Sequence, residues 1–191
     1  MVIVIHGFGS AGKGGKAMLF RKYFKNRGEA IIAPSLSYVP ELAMDTLEQL
    51  VESCSDEEVT LIGSSLGGYY AIYLAEKYGL KAVLINPAVD SAITLKKLVV
   101  ELNGMATNYH DGSQYTWNSN HVEMLKKYQV NEVKHGKYLL LLQTGDDVLD
   151  YREAVVKLPN AETIIEEGGT HPFEGIERHF ETMVKFIKEN V

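Results

Sequence analysis

The chain has 191 residues, of which 46% are hydrophobic and 23% charged, and its formal net charge at pH 7 is -6. This size and composition are typical of one globular domain with a substantial core. The negative charge and the lack of a dense Lys/Arg run argue against nucleic acid or an anionic membrane as a partner. No apolar run approaches the roughly 20 residues of a membrane span, and no basic region precedes the first strand candidate at Val2. The single cysteine, Cys54, cannot form an internal disulfide, so a cytoplasmic protein is expected.

Short β-branched runs alternate along the chain with longer amphipathic segments. Apolar residues at helical spacing predict a helix over residues 40–54, behind Pro40, and a last helix through Phe180 and Ile187. The predicted strands are nearly continuous hydrophobic runs, which is typical of strands covered on both faces. The alternation predicts an α/β fold: a doubly wound parallel sheet of about six strands with helices on both faces. The six strands are predicted at residues 2–6, 30–34, 59–64, 81–86, 137–143 and 162–167.

The loop after the first strand, HGFGSAGKGGK (residues 6–16), partly fits two nucleotide-binding motifs. Its glycines have the GxGxxG spacing of a dinucleotide turn, and Gly7–Lys13 has the GxxxxGK spacing of a phosphate loop. The first motif expects an acidic residue after the next strand, where the sequence reads APSLS. The second expects Ser or Thr where Gly14 stands. Nucleotide or phosphate binding by Gly7–Lys13 is therefore kept as the alternative, with Lys16 expected in a solvated first turn of a helix.

The third predicted strand runs into a GxSxG sequence, Gly63 to Gly67, directly before a helical run. In this context the central Ser65 sits on a sharp strand-to-helix turn that exposes its hydroxyl above the sheet. The flanking glycines allow the turn to pack closely, and the N–H of Leu66 at the helix start can point toward an oxyanion. A glycine-rich turn without chemistry is the alternative. Ser65 is the predicted nucleophile.

A long interval separates the fourth and fifth strands. About fifty residues lie between Asn86 and Lys137, many more than a single crossover needs. We expect a helical cap or lid at about residues 90–131, inserted into a single domain over 1–191, with an ordinary surface excursion as the alternative. The residues of this cap that are predicted to bind substrate are Leu95, Leu98, Val99, Leu102 and Met105.

The last two strands are each followed by a candidate catalytic side chain. Asp146 and Asp147 come after the fifth strand, and His171 comes after the sixth. Because the carboxyl ends of parallel strands meet at one edge of the sheet, these groups are expected to lie near Ser65. The chain order Ser, Asp, His is that of the GxSxG hydrolases, so His171 is the predicted general base. Neighbouring residues at a strand end point in opposite directions, so only one aspartate is expected to orient the imidazole.

The motifs HGFGS, GSSLGG, TGDDVLD and GGTHPF, in this order over almost the whole chain, resemble those of the α/β-hydrolases, and most of all the small bacterial YqiA-like esterases. The resemblance implies the strand order 2-1-3-4-5-6. It also implies a serine esterase acting on acyl esters or acyl-CoA thioesters, with the Phe8 N–H as second oxyanion donor beside Leu66. The apolar Val148 and Leu149 match the residues that follow the acid in those hydrolases, which favours Asp146.

No HxH, HExxH or CxxC spacing occurs in the chain, so no metal and no cofactor are expected. The expected partner is a small-molecule acyl ester or acyl-CoA. Because a fold does not fix a function, a non-catalytic binding protein on the same scaffold is the second alternative.

Overall fold

The computed structural model describes residues 1–54 and 57–189. Its centre is a six-stranded parallel sheet, and two further strands form a separate antiparallel pair. The strands are β1 (Val2–Ile5), β2 (Ile31–Ile32), β3 (Thr60–Ser65), β4 (Lys81–Pro87), β5 (Met105–Thr107), β6 (Gln114–Thr116), β7 (Lys137–Gln143) and β8 (Glu162–Glu166). The order in the large sheet is β2-β1-β3-β4-β7-β8. Once the small pair β5-β6 is set aside, this is the predicted order 2-1-3-4-5-6, so the predicted fold class is confirmed.

The helices cover both faces of the sheet. They are α1 (Gly15–Asn26), α2 (Pro40–Ser53), α3 (Leu66–Tyr78), α4 (Ser91–Glu101), α5 (Ser119–Lys126), α6 (Tyr151–Lys157) and α7 (Phe180–Lys188), with a 3-10 turn at Ile176–His179. The core residues of α1 and α7 pack on one face of the sheet, and those of α2 to α6 pack on the other. Each of the two faces therefore has its own hydrophobic core.

The strand sequences explain why the sheet is covered on both sides. In β1 the side chains of Ile3 and Ile5 join the core under α2 and α3, whereas those of Val2 and Val4 join the core under α1 and α7. Successive side chains of a strand point to opposite faces, so a strand that is apolar at every position needs a cover on each side. The apolar runs thus favour a sheet covered by helices on both faces over a sheet with one solvent-exposed face.

The predicted helical insertion contains more than helices. It consists of α4, the hairpin β5-β6 and α5, so a small antiparallel hairpin accompanies the expected helices. The hairpin forms because the chain turns back on itself at Gly112, where φ is 74°, a conformation that glycine adopts without strain. At the sheet edge β2 is also shorter than predicted, since Pro34 lacks the N–H that would extend the ladder.

Candidate active site

Ser65 lies at the turn between β3 and α3 in a strained backbone conformation. Its φ is 55° and its ψ is -122°, a region that residues with a side chain rarely occupy. The surrounding glycines are required by close packing. A Cβ on Gly63 would lie 2.4 Å from the carbonyl oxygen of Gly67, and one on Gly67 would lie 2.0 Å from that of Ile5. The GxSxG spacing is therefore dictated by backbone contacts around the serine.

Two hydrogen bonds connect Ser65, His171 and Asp146 in a line. The Ser65 Oγ lies 2.9 Å from the Nε2 of His171, and the Nδ1 of His171 lies 2.8 Å from the nearer carboxylate oxygen of Asp146. With Nδ1–H donating to the carboxylate, Nε2 is free to accept from the serine hydroxyl. The structure thus brings together the three side chains that the sequence singled out, although they are up to 106 positions apart in the chain.

Asp146, and not Asp147, contacts the imidazole. Its side chain is almost completely buried. Burial raises the pKa of this carboxyl, but hydrogen bonds from His171 and from the N–H groups of Leu149 and Val148 outweigh it, so the pKa lies below its usual value. The side chain therefore stays ionised at neutral pH. Asp147 instead faces the adjoining cavity.

The two predicted oxyanion donors lie beside the serine. Leu66 is the first residue of α3, and the N–H groups of a helix's first turn have no partner inside the helix. The N–H groups of Phe8 and Leu66 donate no hydrogen bond to any described residue. Both residues line the same cavity as Ser65 and His171. The amides are thus available to a ligand atom next to the hydroxyl.

The loop after β1 is held by its own hydrogen bonds. Its N–H groups at Ser10, Gly12 and Gly14 donate to Gly7, Ser35 and Ala11. A phosphate loop needs such N–H groups free to cradle the anion, so the geometry gives the nucleotide alternative no support.

His6 braces this loop against the chain after β2. Its Nδ1 lies 2.9 Å from the Gly7 carbonyl oxygen, and its Nε2 accepts from the N–H of Leu36 at 2.9 Å. Burial lowers the pKa of His6, which fits a neutral ring that donates on one side and accepts on the other.

Two buried amides that the sequence analysis missed support the loop that carries His171. Asn86, at the end of β4, donates from Nδ2 to the carbonyl oxygens of Thr170 and His171 at 3.0 and 3.1 Å, and its Oδ1 accepts from the N–H of Gln143. The Gln143 Oε1 in turn accepts from the N–H groups of Thr170 and Glu174. The visible clue was that each residue is polar at the end of an otherwise apolar strand.

Lys16 is not the solvated residue that was expected. Its Nζ donates to the Ser64 Oγ at 2.7 Å, directly beside the serine turn. Burial lowers the pKa of Lys16 to about 8, against a smaller opposing effect of the Asp146 charge. The first turn of α1 therefore places a cation behind the site.

A cavity of about 1070 Å³ opens from Ser65 and His171 between α4 and α6. Of the residues predicted to bind substrate, Leu95 and Leu98 line it. Val99, on α4, and Leu102, directly after it, pack against the core but do not line the cavity, and Met105 lies on β5, also outside the lining. The cavity wall is mostly apolar, with charged side chains along its rim.

The insertion also touches the loop that carries Phe8. The Phe8 ring packs edge-on against Trp117 and Tyr115, with centroids 4.9 and 6.0 Å apart. The N–H of Tyr109 donates to the Gly9 carbonyl oxygen at 2.7 Å. The His121 ring stacks on Trp117 and caps α5. The hairpin β5-β6 thus fastens the Phe8 loop in place.

A parallel sheet in this strand order with a serine on the turn after β3 defines the α/β-hydrolase fold. Solved structures agree with this class. A putative hydrolase from Agrobacterium vitis superposes with a TM-score of 0.80 at 17% identity, over 98% of this chain and 87% of that one. Mouse α/β-hydrolase domain-containing protein 10 superposes with a TM-score of 0.78 at 17% identity, over 97% of this chain and 88% of that one. Est1E from Butyrivibrio proteoclasticus has a TM-score of 0.75 at 15% identity, over 98% of this chain and 88% of that one.

The chain belongs to the uncharacterised protein family UPF0227, whose model matches residues 1–188. A UPF0227 protein of Vibrio vulnificus is 24% identical over 100% of this chain and 99% of its own length. One from Pasteurella multocida is 22% identical over 97% and 98%. UPF0227 is the YqiA-like family, so the resemblance drawn from the motifs is confirmed.

Within residues 1–54 and 57–189, no helix combines the length and apolarity needed to cross a membrane. Nor do three or more His, Cys, Asp or Glu side chains come together there in a way that could hold a metal ion.

Proposed function

We propose that this protein is a serine hydrolase that cleaves acyl esters through an acyl-enzyme intermediate. The observation that carries the proposal is the hydrogen-bonded line from Asp146 through His171 to the Ser65 hydroxyl, which ends in an open cavity. A serine hydroxyl is a poor nucleophile until a neighbouring base removes its proton, and the imidazole Nε2 is in position to do so. The α/β-hydrolase fold and the esterases among the structural neighbours agree with this chemistry.

In the proposed first step Ser65 attacks the acyl carbonyl while His171 takes its proton. The N–H groups of Phe8 and Leu66 stabilise the negative oxygen that forms, and Asp146 stabilises the imidazolium. His171 then gives the proton to the departing alcohol. Water repeats the two transfers on the acyl-enzyme, which releases the acid and restores the serine.

Acyl thioesters such as acyl-CoA are proposed as a second substrate class, because the same attack releases a thiol. Three cations line the cavity: Arg152 pairs with Asp150, the Nζ of Lys157 donates to the carbonyl oxygens of Val130 and Asn131, and the exposed Lys97 pairs with no described residue. Because two of the three are already engaged, we expect recognition to lie mainly in the acyl part and not in the coenzyme phosphates. Similar kcat/KM values for an acyl-CoA and for the matching N-acetylcysteamine thioester would support this.

The proposal is tested with a fluorophosphonate, which reacts much faster with an activated serine than with an ordinary hydroxyl. Peptide mass mapping should find the label on Ser65, and Ser65→Ala should abolish labelling. Ser64→Ala is the matched control, since its hydroxyl contacts Lys16 and no base of the proposed mechanism, and it should still be labelled at Ser65. Label on another residue, or none on the wild-type protein, would overturn the esterase proposal.

A further inference from the structure

Asn86 interrupts the pairing of β4 where this strand reaches the serine turn. On the side of β3, Ser64 pairs with Ile85 and Ser65 pairs with Pro87, so Asn86 is left without a partner as a β-bulge. Its φ is 39°, whereas a residue before proline is normally extended. Bulges next to active sites re-aim a side chain, and strained residues persist only where their surroundings fix them. The bulge therefore serves to direct the Asn86 side chain.

The bulge turns this side chain away from both faces of the sheet. Ile85 joins the core under α1 and α7, so a regular strand would send the next side chain into the opposite core. Asn86 is only 3% exposed, but its amide bonds backbone groups of other segments. Its Oδ1 accepts from the N–H of Gln143 at 2.9 Å. Its Nδ2 donates to the carbonyl oxygens of Thr170 and His171 at 3.0 and 3.1 Å.

The end of β4 thereby contacts each of the three segments that carry the hydrogen-bonded line. The N–H of Ala88, directly after β4, donates to the carbonyl oxygen of Ser65 at 3.0 Å. Gln143, which donates to the bulged amide, is the last residue of β7 and leads into the loop with Asp146. The third contact is to the carbonyl oxygen of His171 itself. One short stretch of chain therefore fixes the serine turn, the aspartate loop and the histidine loop to one another.

His171 lies in a tight turn that Asn86 holds from outside. The N–H of Phe173 donates to the carbonyl oxygen of Thr170 at 2.9 Å, and the φ of Phe173 is 66°, a second strained position. The two carbonyl groups that accept from Asn86 precede and follow the α-carbon of His171. The imidazole is therefore oriented by Asp146 at its ring and by Asn86 at its backbone.

A carboxamide suits this position better than any other short side chain. The three hydrogen bonds require one acceptor and two N–H donors, which is what an asparagine side chain offers. Asparagine also adopts a positive φ more readily than most residues other than glycine. An aspartate at position 86 could accept from Gln143, but its carboxylate would face two carbonyl oxygens without a hydrogen to donate.

We propose that Asn86 is a positioning residue, which holds the imidazole of His171 in line with the Ser65 hydroxyl through the backbone of the histidine loop. This inference rests on the proposed esterase function and adds to it a residue that touches neither the substrate nor the reacting atoms. Asn86 is not among the described residues that line the cavity. Its loss should therefore slow the chemical step and leave substrate binding unchanged.

The first test is Asn86→Gly, which removes the amide but keeps the bulge, because glycine adopts this φ without strain. We expect kcat/KM for a p-nitrophenyl ester to fall by about 10- to 100-fold, the loss that a misplacement of about 1 Å in a catalytic group causes. Added to Ser65→Ala, the same change should leave the Kd for this ester unaltered in calorimetry. Asn103→Gly is the matched control, since Asn103 is exposed, lies just past α4 and also has a positive φ of 48°; it should keep the wild-type kcat/KM.

Thermal melts show whether Asn86→Gly is folded at the assay temperature. If it is not, Asn86→Asp takes its place, because it keeps the size of the side chain and the acceptor for Gln143. At pH 8 its carboxylate has no hydrogen to donate to the histidine loop, so the same loss of kcat/KM is expected. Wild-type kcat/KM in a folded variant would overturn the proposal.

A double-mutant cycle separates positioning from general damage to the site. His171→Ala retains only the rate that the oxyanion donors and binding supply, so Asn86→Gly should cause no further loss in that background. An equal loss in both backgrounds would overturn the proposal, because Asn86 would then not act through the imidazole.

Proton NMR tests the same geometry without an ester. The far-downfield signal of the His171 Nδ1–H, identified by its loss in His171→Ala, reports the hydrogen bond to Asp146. Asn86→Gly should broaden or remove this signal, and Asn103→Gly should keep it. If the wild-type protein hydrolyses no ester, the proposed function fails, and the signal still decides whether Asn86 holds the ring. An unchanged signal in folded Asn86→Gly, or no such signal in the wild-type protein, would overturn the inference.

Discussion

The serine turn and the α4–α6 wall of the cavity are built in opposite ways. Around Ser65 the backbone leaves no room: a Cβ on Gly67 would come within 2.0 Å of a carbonyl oxygen. On the wall, by contrast, Ile93 and Val156 are 62% and 80% exposed and pack against little. The first region fixes the chemistry by backbone contacts, whereas the second sets the substrate by side chains that can change at little cost to stability. We therefore expect changes in the two regions to have different kinds of effect.

The largest effect is expected from Gly67→Ala. The new methyl group must displace the backbone of β1, which should cost roughly 4 kcal/mol or more of folding free energy, in the range that marks severe strain. Gly15→Ala is the control, since a Cβ there meets nothing within 4 Å and the site is helical, so it should be neutral or stabilising by up to about 1 kcal/mol. Urea unfolding measures both. Equal stability of the two variants would show that the turn is less constrained than its geometry indicates.

Next in size is the difference between two adjacent carboxylates. Asp146→Asn should lower kcat/KM for an activated ester by up to about 10⁴-fold, a value known from a serine protease triad, because the imidazole loses its charged partner and its tautomer. Asp147→Asn, which changes a cavity residue without a bond to the imidazole, should cost far less. A larger loss at Asp147 would reverse the proposed assignment.

A smaller effect is expected from substitutions in the α4–α6 wall of the cavity. They should alter the preference for acyl chains without abolishing hydrolysis. Leu98→Ala should shift the optimum toward longer or bulkier acyl chains by a few-fold in kcat/KM, on the order of what one methylene contributes in an apolar pocket. Val99→Ala, at the next residue, which packs against the core but does not line the cavity, should lower the melting temperature and leave the preference profile unchanged. Identical profiles for wild type and Leu98→Ala would mean that this wall does not contact the substrate.

The smallest predicted effect concerns Lys16, behind the serine turn. Its ammonium has a pKa of about 8 in the folded chain and an ordinary value near 10.5 when unfolded. Between these values the unfolded chain binds more protons, so the contribution of Lys16 to stability rises with pH, and its full penalty is present below pH 8. Lys16→Met should therefore melt higher than wild type at pH 7, by about 2–4 °C if the penalty is 1 kcal/mol, with the gap narrowing by pH 9.5. Calorimetric melts at both pH values test this.

Lys13→Met serves as the control for that series, because Lys13 is exposed in the loop that leads into α1. Its melting difference from wild type should not depend on pH in this range. A gap for Lys16→Met that widens with pH would contradict the proposed cause.

The positions of the strands and the neighbourhood of Ser65, His171 and the two candidate aspartates could be predicted because they follow from local patterns: apolar runs, a glycine-spaced turn and residues at strand ends. The strand order and the choice of Asp146 came instead from the resemblance to the α/β-hydrolases. The contacts that support the candidate active site could not be predicted from the sequence, because they join residues that are far apart in the chain. Lys16 and Ser64 are 48 residues apart, and Asn86 and His171 are 85.

The prediction of the substrate-binding residues was only partly right, for a different reason. All four predicted leucine and valine residues pack in or against the core, but of the four only Leu95 and Leu98 also line the cavity. Apolar spacing marks a helix side that is covered, but it does not say whether protein or ligand covers it.

The buried amide of Gln143 also has a consequence for the motion of the His171 loop. A segment with two consecutive glycines, Gly168 and Gly169, would ordinarily open often and exchange its amide protons quickly. Here the N–H groups of Thr170 and Glu174 both end on the Gln143 side chain, at 3.2 and 2.9 Å. Their protons can exchange only when that side chain moves away from the end of the sheet. The loop should therefore show the slow hydrogen exchange of the β7 strand, and the general base should stay in register with the serine between turnovers.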